Sequence, residues 1–197
     1  MALDESRGRT AVYMMARGAR VSGQMTLPPV LMAMVPLFQC KGWNHTWMMP
    51  LLGGTLVCCR DITARAIYNA IADENVGYFG GAPIVLNMLV NAKDNERRDF
   101  EHVVEVFTAG APPAPATLSK IEKLGFNVTQ VYGLTETYGH VTECVWDDTR
   151  WGDANEDMRA AIKARQGVAF PMLEHITVMD EQMAQVPMDG KTQGEIM

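Results

Sequence analysis

Thr135, Glu136, Thr137 and His140 stand together in the run Val128–His140, VTQVYGLTETYGH, directly behind Tyr132 and Gly133. The hydroxyls of Thr135 and Thr137 can donate to phosphate oxygens, and the Glu136 carboxylate suits a hard cation such as Mg²⁺. The Tyr132 ring offers a flat face to a purine, and Gly133, lacking a Cβ, lets backbone approach a ligand closely. An adenylate and its metal need this set of groups. The spacing alone leaves a plainer alternative open, a strand end followed by a Thr/Glu-rich turn that binds nothing.

These groups need a scaffold. The β-prone run Val128–Tyr132 is expected to break at Gly133 and release them as a loop at a strand's carboxyl end, where α/β sheets present their ligand-binding groups. Upstream, Gly53-Gly54 precedes a strand over Thr55–Arg60, and Thr63–Glu74 carries Ala66, Ile67, Ala70 and Ile71 at helical spacing behind a cap at Asp61 or Thr63. Val76–Phe79 reads as the next strand. Pro83 then opens a helix with Ile84, Leu86, Met88 and Leu89 buried, and Asn91–Glu101 is a charged, solvated loop. Val103–Thr108 is a core strand broken sharply by Gly110-Ala-Pro-Pro113, before a helix over Ala116–Leu124 that turns Leu118, Ile121 and Leu124 to the sheet. Such alternation predicts an α/β fold with a mostly parallel sheet, right-handed crossovers and flanking helices. The neighbouring strand ends at Gly110 and Gly133 would form one crevice.

Outside this frame, Leu27–Phe38 is a buried apolar segment, either a helix begun at Pro28 or an extended run. Gln39–Trp43 reads as a Gly-hinged turn whose indoles, Trp43 and Trp47, either wall an apolar chain or pack a helix on the sheet. Glu143–Asp157 looks like an acidic, aromatic surface excursion. Asn155 or Asp157 then caps a helix over Met158–Ala164, which Arg165-Gln166-Gly167 closes. His175–Met179 and Gly194–Met197 read as strands around a turn at Pro187–Gly190.

With 48% hydrophobic residues among 197, the chain can bury a sizeable core as one domain. A net charge of −6 with scattered Lys and Arg argues against a nucleic-acid surface. Cys40, Cys58, Cys59 and Cys144 form no zinc-type spacing, and the adjacent Cys58-Cys59 is expected to be buried, which suggests a reducing cytoplasm. No secretory leader pattern or membrane-spanning run is apparent, and the fifteen methionines are read as core filler.

Tyr132-Gly-Leu-Thr-Glu-Thr137, with Gly110-Ala-Pro-Pro113 upstream, resembles the adenylate-forming enzymes, and specifically the acyl-CoA synthetases (acyl-CoA ligases). Leu37-Phe-Gln-Cys-Lys-Gly-Trp43 is similar to that family's PxFHxxGW element, with Gln39 where the family commonly has His. Gly81–Met88 is similar to the helix start beside its acyl site, and the nearest subgroup is the medium-chain or methylthiopropionate type. The resemblance implies an α/β large domain that uses ATP, Mg²⁺ and CoA to turn a carboxylic acid into its thioester through an acyl-adenylate. It implies Tyr132, Gly133, Gly110, Ala111 and Pro112 around adenine, Thr135 on the phosphate and Glu136 on Mg²⁺. Trp43, Gly81, Gly139 and His140 would wall the acyl pocket. The expected partners are small molecules, the acid, ATP and CoA, and the expected assembly is a homodimer.

Residues 1–16 stand where the phosphate loop would fall but lack its Gly-rich spacing. The chain is therefore expected to be this divergent segment followed by the central part of the large domain, residues 17–197, without the lysine-bearing C-terminal domain. Such a piece would hold an adenylate weakly and not turn over alone. The other readings are a non-catalytic adenylate- or acyl-binding module and an amino-acid adenylation domain. The latter is disfavoured because no Asp stands ready for an α-amino group.

Overall fold

Val30–Ala33 forms strand β1 and Cys40–Leu51 helix α1, in a computed structural model that describes residues 28–137, 139–170, 173 and 175–197. Thr55–Cys58 is β2. Helix α2, Ala64–Glu74, starts at Thr63, whose Oγ1 accepts from the Ala66 N–H at 3.2 Å, and stops where Asn75 turns left-handed at φ 54°. Tyr78–Gly81 is β3, Pro83–Val90 α3, Val104–Thr108 β4 and Pro115–Glu122 α4. Both of these helices open on a proline, whose fixed φ and missing N–H suit a first turn. Phe126–Leu134 (β5) and Gly139–Glu143 (β6) follow, then the short α5, Asp148–Trp151. Helix α6, Glu156–Lys163, is capped by Asn155, whose Oδ1 accepts from the Met158 N–H at 2.9 Å. The last strands are Val168–Ala169 (β7), Val178–Met179 (β8) and Glu195–Ile196 (β9).

Seven strands make one sheet in the order β2-β1-β3-β4-β5-β6-β7, parallel from β2 to β5 and antiparallel from β5 to β7; β8 and β9 pair separately. Parallel strands need cover on both faces. On one face α2, α3 and α4 bury Ile67, Ile71, Leu86, Leu89, Leu118 and Ile121 against Phe79, Val104, Val106, Phe126 and Val128. On the other, Met48 and Met49 of α1 cover Leu31 and Tyr78. The α/β architecture with a mostly parallel sheet flanked by helices is thus as expected. Among the described residues no helix is long and apolar enough to cross a membrane.

Several local expectations change. Gln39–Trp43 is not a turn: from Cys40 it is the first part of α1. Strand β5 does not break at Gly133 but runs to Leu134, because β6 offers it a partner beyond the parallel sheet. Cys58 is exposed and Cys59 half-buried, since β2 lies at the sheet's edge. The third strand begins at Tyr78 rather than Val76, although Val76 is buried. Ile84 is 75% exposed, and Val85 takes its place in the core. Of the apolar segment before α1 only Val30–Ala33 is strand, and Leu37 and Phe38 beyond it are exposed. Residues 1–27, which include the divergent start and Leu27, lie outside the described residues.

Candidate functional site

The register of the parallel strands aligns the loops that follow them. Gly81 pairs with Thr108, and Thr108 with Gln130, so the ends of β3, β4 and the parallel half of β5 share one edge. Gly110 lies two residues past Thr108 and Tyr132 two past Gln130. Gly110, Ala111 and Pro112 are exposed, with Gly110 in the left-handed region at φ 91°, while Tyr132 is half-buried. The two loop segments expected around a purine are therefore neighbours.

Beyond Gln130 the chain forms a hairpin rather than an open loop. Tyr132 pairs with Thr142, Gly133 with His140 and Leu134 with Gly139, so Val141 is an extra residue and β6 is bulged. Gly133 is required by contact: a Cβ there would overlap the Gly139 carbonyl oxygen and stand 2.7 Å from its carbon. At the tip, Thr137 Oγ1 accepts from the Leu134 N–H at 2.8 Å and lies 3.0 Å from the Leu134 carbonyl and 3.1 Å from that of Gly139. Its hydroxyl is engaged in closing the turn, whereas that of Thr135 is not. Thr135 and Glu136 present exposed side chains at the tip.

Among the described residues no three His, Cys, Asp or Glu side chains gather as a metal site. A cation at Glu136 would take its remaining ligands from water and from the phosphates of a molecule bound with it, as Mg²⁺ commonly does. Glu136 at an exposed tip fits that use.

The bulge carries His140 to the Phe107 side of the sheet. Its ring centroid lies 6.2 Å from that of Phe107 and 6.0 Å from that of Phe170, edge-on at 89°. This aromatic wall joins β4, β6 and the residue that follows β7, and neither Phe107 nor Phe170 stands out in the sequence. Phe107 had a usable signal, since it alternates with Val104 and Val106 and so faces away from their core; Phe170 had none. Gly81 is buried at the end of β3, where a Cβ would press on Val85 at 3.2 Å. Trp43 and Trp47 pack edge-on, 5.5 Å apart, and remain about half exposed on α1. The Asn44 amide of that helix lies 3.7 Å from where a Cβ on Gly139 would stand. The helix thus reaches the start of β6, but the indoles are not enclosed with His140.

A cavity bordered by Glu105, Glu122, Asn127 and Arg159 opens at the other, amino-terminal end of β4 and β5. It is separate from the Tyr132 edge.

The family of AMP-binding enzymes matches residues 9–197 of the chain. An acetate/butyrate–CoA ligase of Arabidopsis thaliana, named as peroxisomal, is 40% identical over 187 residues, covering 94% of this chain and 33% of that protein. An acetate–CoA ligase of Humulus lupulus is 41% identical over the same extent of both. The chain spans about a third of the length of these curated relatives. Among solved structures, O-succinylbenzoate coenzyme A synthetase of Bacillus subtilis in complex with ATP and magnesium superposes with a TM-score of 0.67 at 19% identity, over 94% of this chain and 35% of that one. A benzoate CoA ligase of Burkholderia xenovorans gives a TM-score of 0.68 at 17% identity, over 94% and 36%. At those identities the likeness speaks to the fold.

Proposed function

The chain belongs to the AMP-binding enzyme family, and from that premise we propose that it carries the adenylate-holding part of an ATP-dependent acyl-CoA ligase. In the whole protein's reaction a carboxylate oxygen attacks the α-phosphorus of ATP and pyrophosphate leaves. The sulfur of CoA then attacks the acyl carbon, loses its proton and displaces AMP. Neither step asks the chain for a covalent bond. It asks for orientation of a weak nucleophile and for donors aimed at developing charge.

In this reading Tyr132 stacks on the purine while the backbone of Gly110, Ala111 and Pro112 borders its edge, with Gly133 keeping the approach open. Thr135 donates its hydroxyl to the α-phosphate. Glu136 holds Mg²⁺, which when bound neutralises phosphate charge. Gly81, Gly139, His140 and Trp43 border the acid, and Phe107 and Phe170 back the His140 ring. The reading is supported chiefly by the alignment of Thr108 with Gln130, which brings the Gly110 loop and Tyr132 to one edge beside the Thr135–Glu136 tip. Relatives named for acetate, butyrate and benzoate favour a carboxylic-acid substrate over an amino acid. We read residues 17–197 as the central part of the large domain and residues 1–16 as its divergent start. The proposed partners are the acid, ATP and CoA, and the proposed assembly a homodimer. Free thiols at Cys58, Cys59 and Cys144 fit a reducing compartment, for which we propose the cytoplasm.

The role of Glu136 is tested by titrating the chain with ATP in the presence and absence of Mg²⁺. Wild type should gain about tenfold in affinity from the metal, about 1.4 kcal/mol. Glu136→Ala should lose that gain and keep the metal-free affinity. An equal gain in both proteins would remove Glu136 from the metal.

A further inference from the structure

Glu105, the second residue of β4, is only 6% exposed and lies in register between Tyr78 of β3 and Asn127 of β5. Asn127 Nδ2 donates to Glu105 Oε2 at 2.8 Å, while the buried Glu105 Oε1 has no hydrogen-bond partner among the described residues; both residues border the amino-end cavity. Through Oδ1 the same amide accepts from Lys163 Nζ at 2.8 Å. Lys163, 3% exposed, also pairs with Glu122 of α4, whose second oxygen accepts from Arg159 Nε at 3.0 Å. The Arg159 guanidinium in turn stands 4.5 Å from the Trp146 ring centre. One polar chain thus ties β4, β5, α4 and α6 together. An amide can bridge it because its two ends differ, one donating and one accepting.

We propose that Glu105, Asn127 and Lys163 form a proton-responsive clamp that sets how α6 sits against β5 and α4. The charged and titratable groups facing Glu105 are Tyr78 from β3, Lys163 and Arg159 from α6, and Glu122 from α4. With Glu105 neutral, Lys163 has one carboxylate to serve, that of Glu122. Loss of the Glu105 proton creates a second carboxylate that competes for the same ammonium, and the grip of α6 on α4 loosens. Burial holds the Glu105 proton up to about pH 7, against the opposing pulls of Asn127 and Lys163. The consequence reaches the site, since Cys144 Sγ donates to the Ile162 carbonyl at 3.2 Å and β7, after α6, pairs with β6 beside His140.

A carboxyl that keeps its proton in the folded state above its ordinary value of 4.5 contributes stability at low pH that is lost as pH rises from there through about 7. The test follows tryptophan emission, thermal midpoint and hydrogen exchange of α6 in the full chain from pH 5 to 9. Wild type should show one emission transition near pH 7, a midpoint that falls from pH 5 to about 7 and levels off above it, and α6 exchange, corrected for intrinsic rate, rising about tenfold. Glu105→Gln should lack all three, which separates this carboxyl from the chain's four histidines. ¹³C NMR of the wild-type glutamate carboxyls reads the proton directly if the variant does not fold. An unchanged transition in Glu105→Gln, or a Glu105 carboxyl that titrates with the exposed glutamates, would overturn the clamp.

Discussion

Gly133→Ala will open the β5–β6 hairpin and abolish adenylate binding while β1 to β4 stay paired. The added Cβ meets the Gly139 carbonyl and comes within 3.1 Å of the His140 Cα, all of it backbone that no rotamer change can move aside. Relief requires separating the strands at the bulge, where Tyr132, His140 and the Thr135–Glu136 tip are held. The cost is about 3 kcal/mol, the upper range for overpacking. The parallel strands are spared because β4 pairs with the other half of β5, Phe126 to Gln130. Amide exchange localises the damage: residues 139–143 should lose protection while residues 104–108 keep it. Loss of both together would mean that the hairpin and sheet are one cooperative unit.

Phe126→Ala is expected to produce the largest loss of global stability, about 4 kcal/mol. Phe126 is 2% exposed, and its ring centre lies 5.4 Å from Phe100, 6.1 Å from Tyr68 and 6.1 Å from Phe79. Truncation removes the shared member of that cluster and leaves a cavity between α2 and the sheet, which three neighbouring rings cannot all move to fill. Natural domains are stable by only about 5–15 kcal/mol. The urea midpoint should therefore fall steeply with an unchanged m-value; a shift below about 1 kcal/mol would mean that the cluster collapses onto the void.

The parts of this fold legible in the sequence are those whose causes are local. The Thr63 cap, the proline opening α3 and the Gly110 turn all act within a few residues of themselves, and each appears where its chemistry predicts. What was not legible depends on partners distant in sequence. Gly42 read as a hinge, but it sits inside α1, where a Cβ would lie within 2.9 Å of the Leu37 Cα, so the helix start packs on the segment before it. Gly133 read as a strand end because nothing near it announces β6. Cys58-Cys59 read as core because an edge strand and a central one share the same apolar composition. Nothing near Glu105 in the chain announces its polar surroundings, because Asn127 and Lys163 come from β5 and α6. The site divides likewise: Tyr132 and the Gly110 loop were readable as neighbouring strand ends, whereas the service of Thr137 to the turn and the seat of His140 between two phenylalanines require the bulge.

The most direct measurement is a calorimetric titration of the chain with a non-hydrolysable acyl-adenylate analogue and Mg²⁺, beside Tyr132→Ala, with circular dichroism confirming that both are folded. The adenylate assignment predicts saturable one-to-one binding that weakens about tenfold or more without the ring, in line with the ~1–3 kcal/mol of a base stacked on an aromatic side chain. Folded wild type that does not bind, or binds no better than Tyr132→Ala, would contradict it.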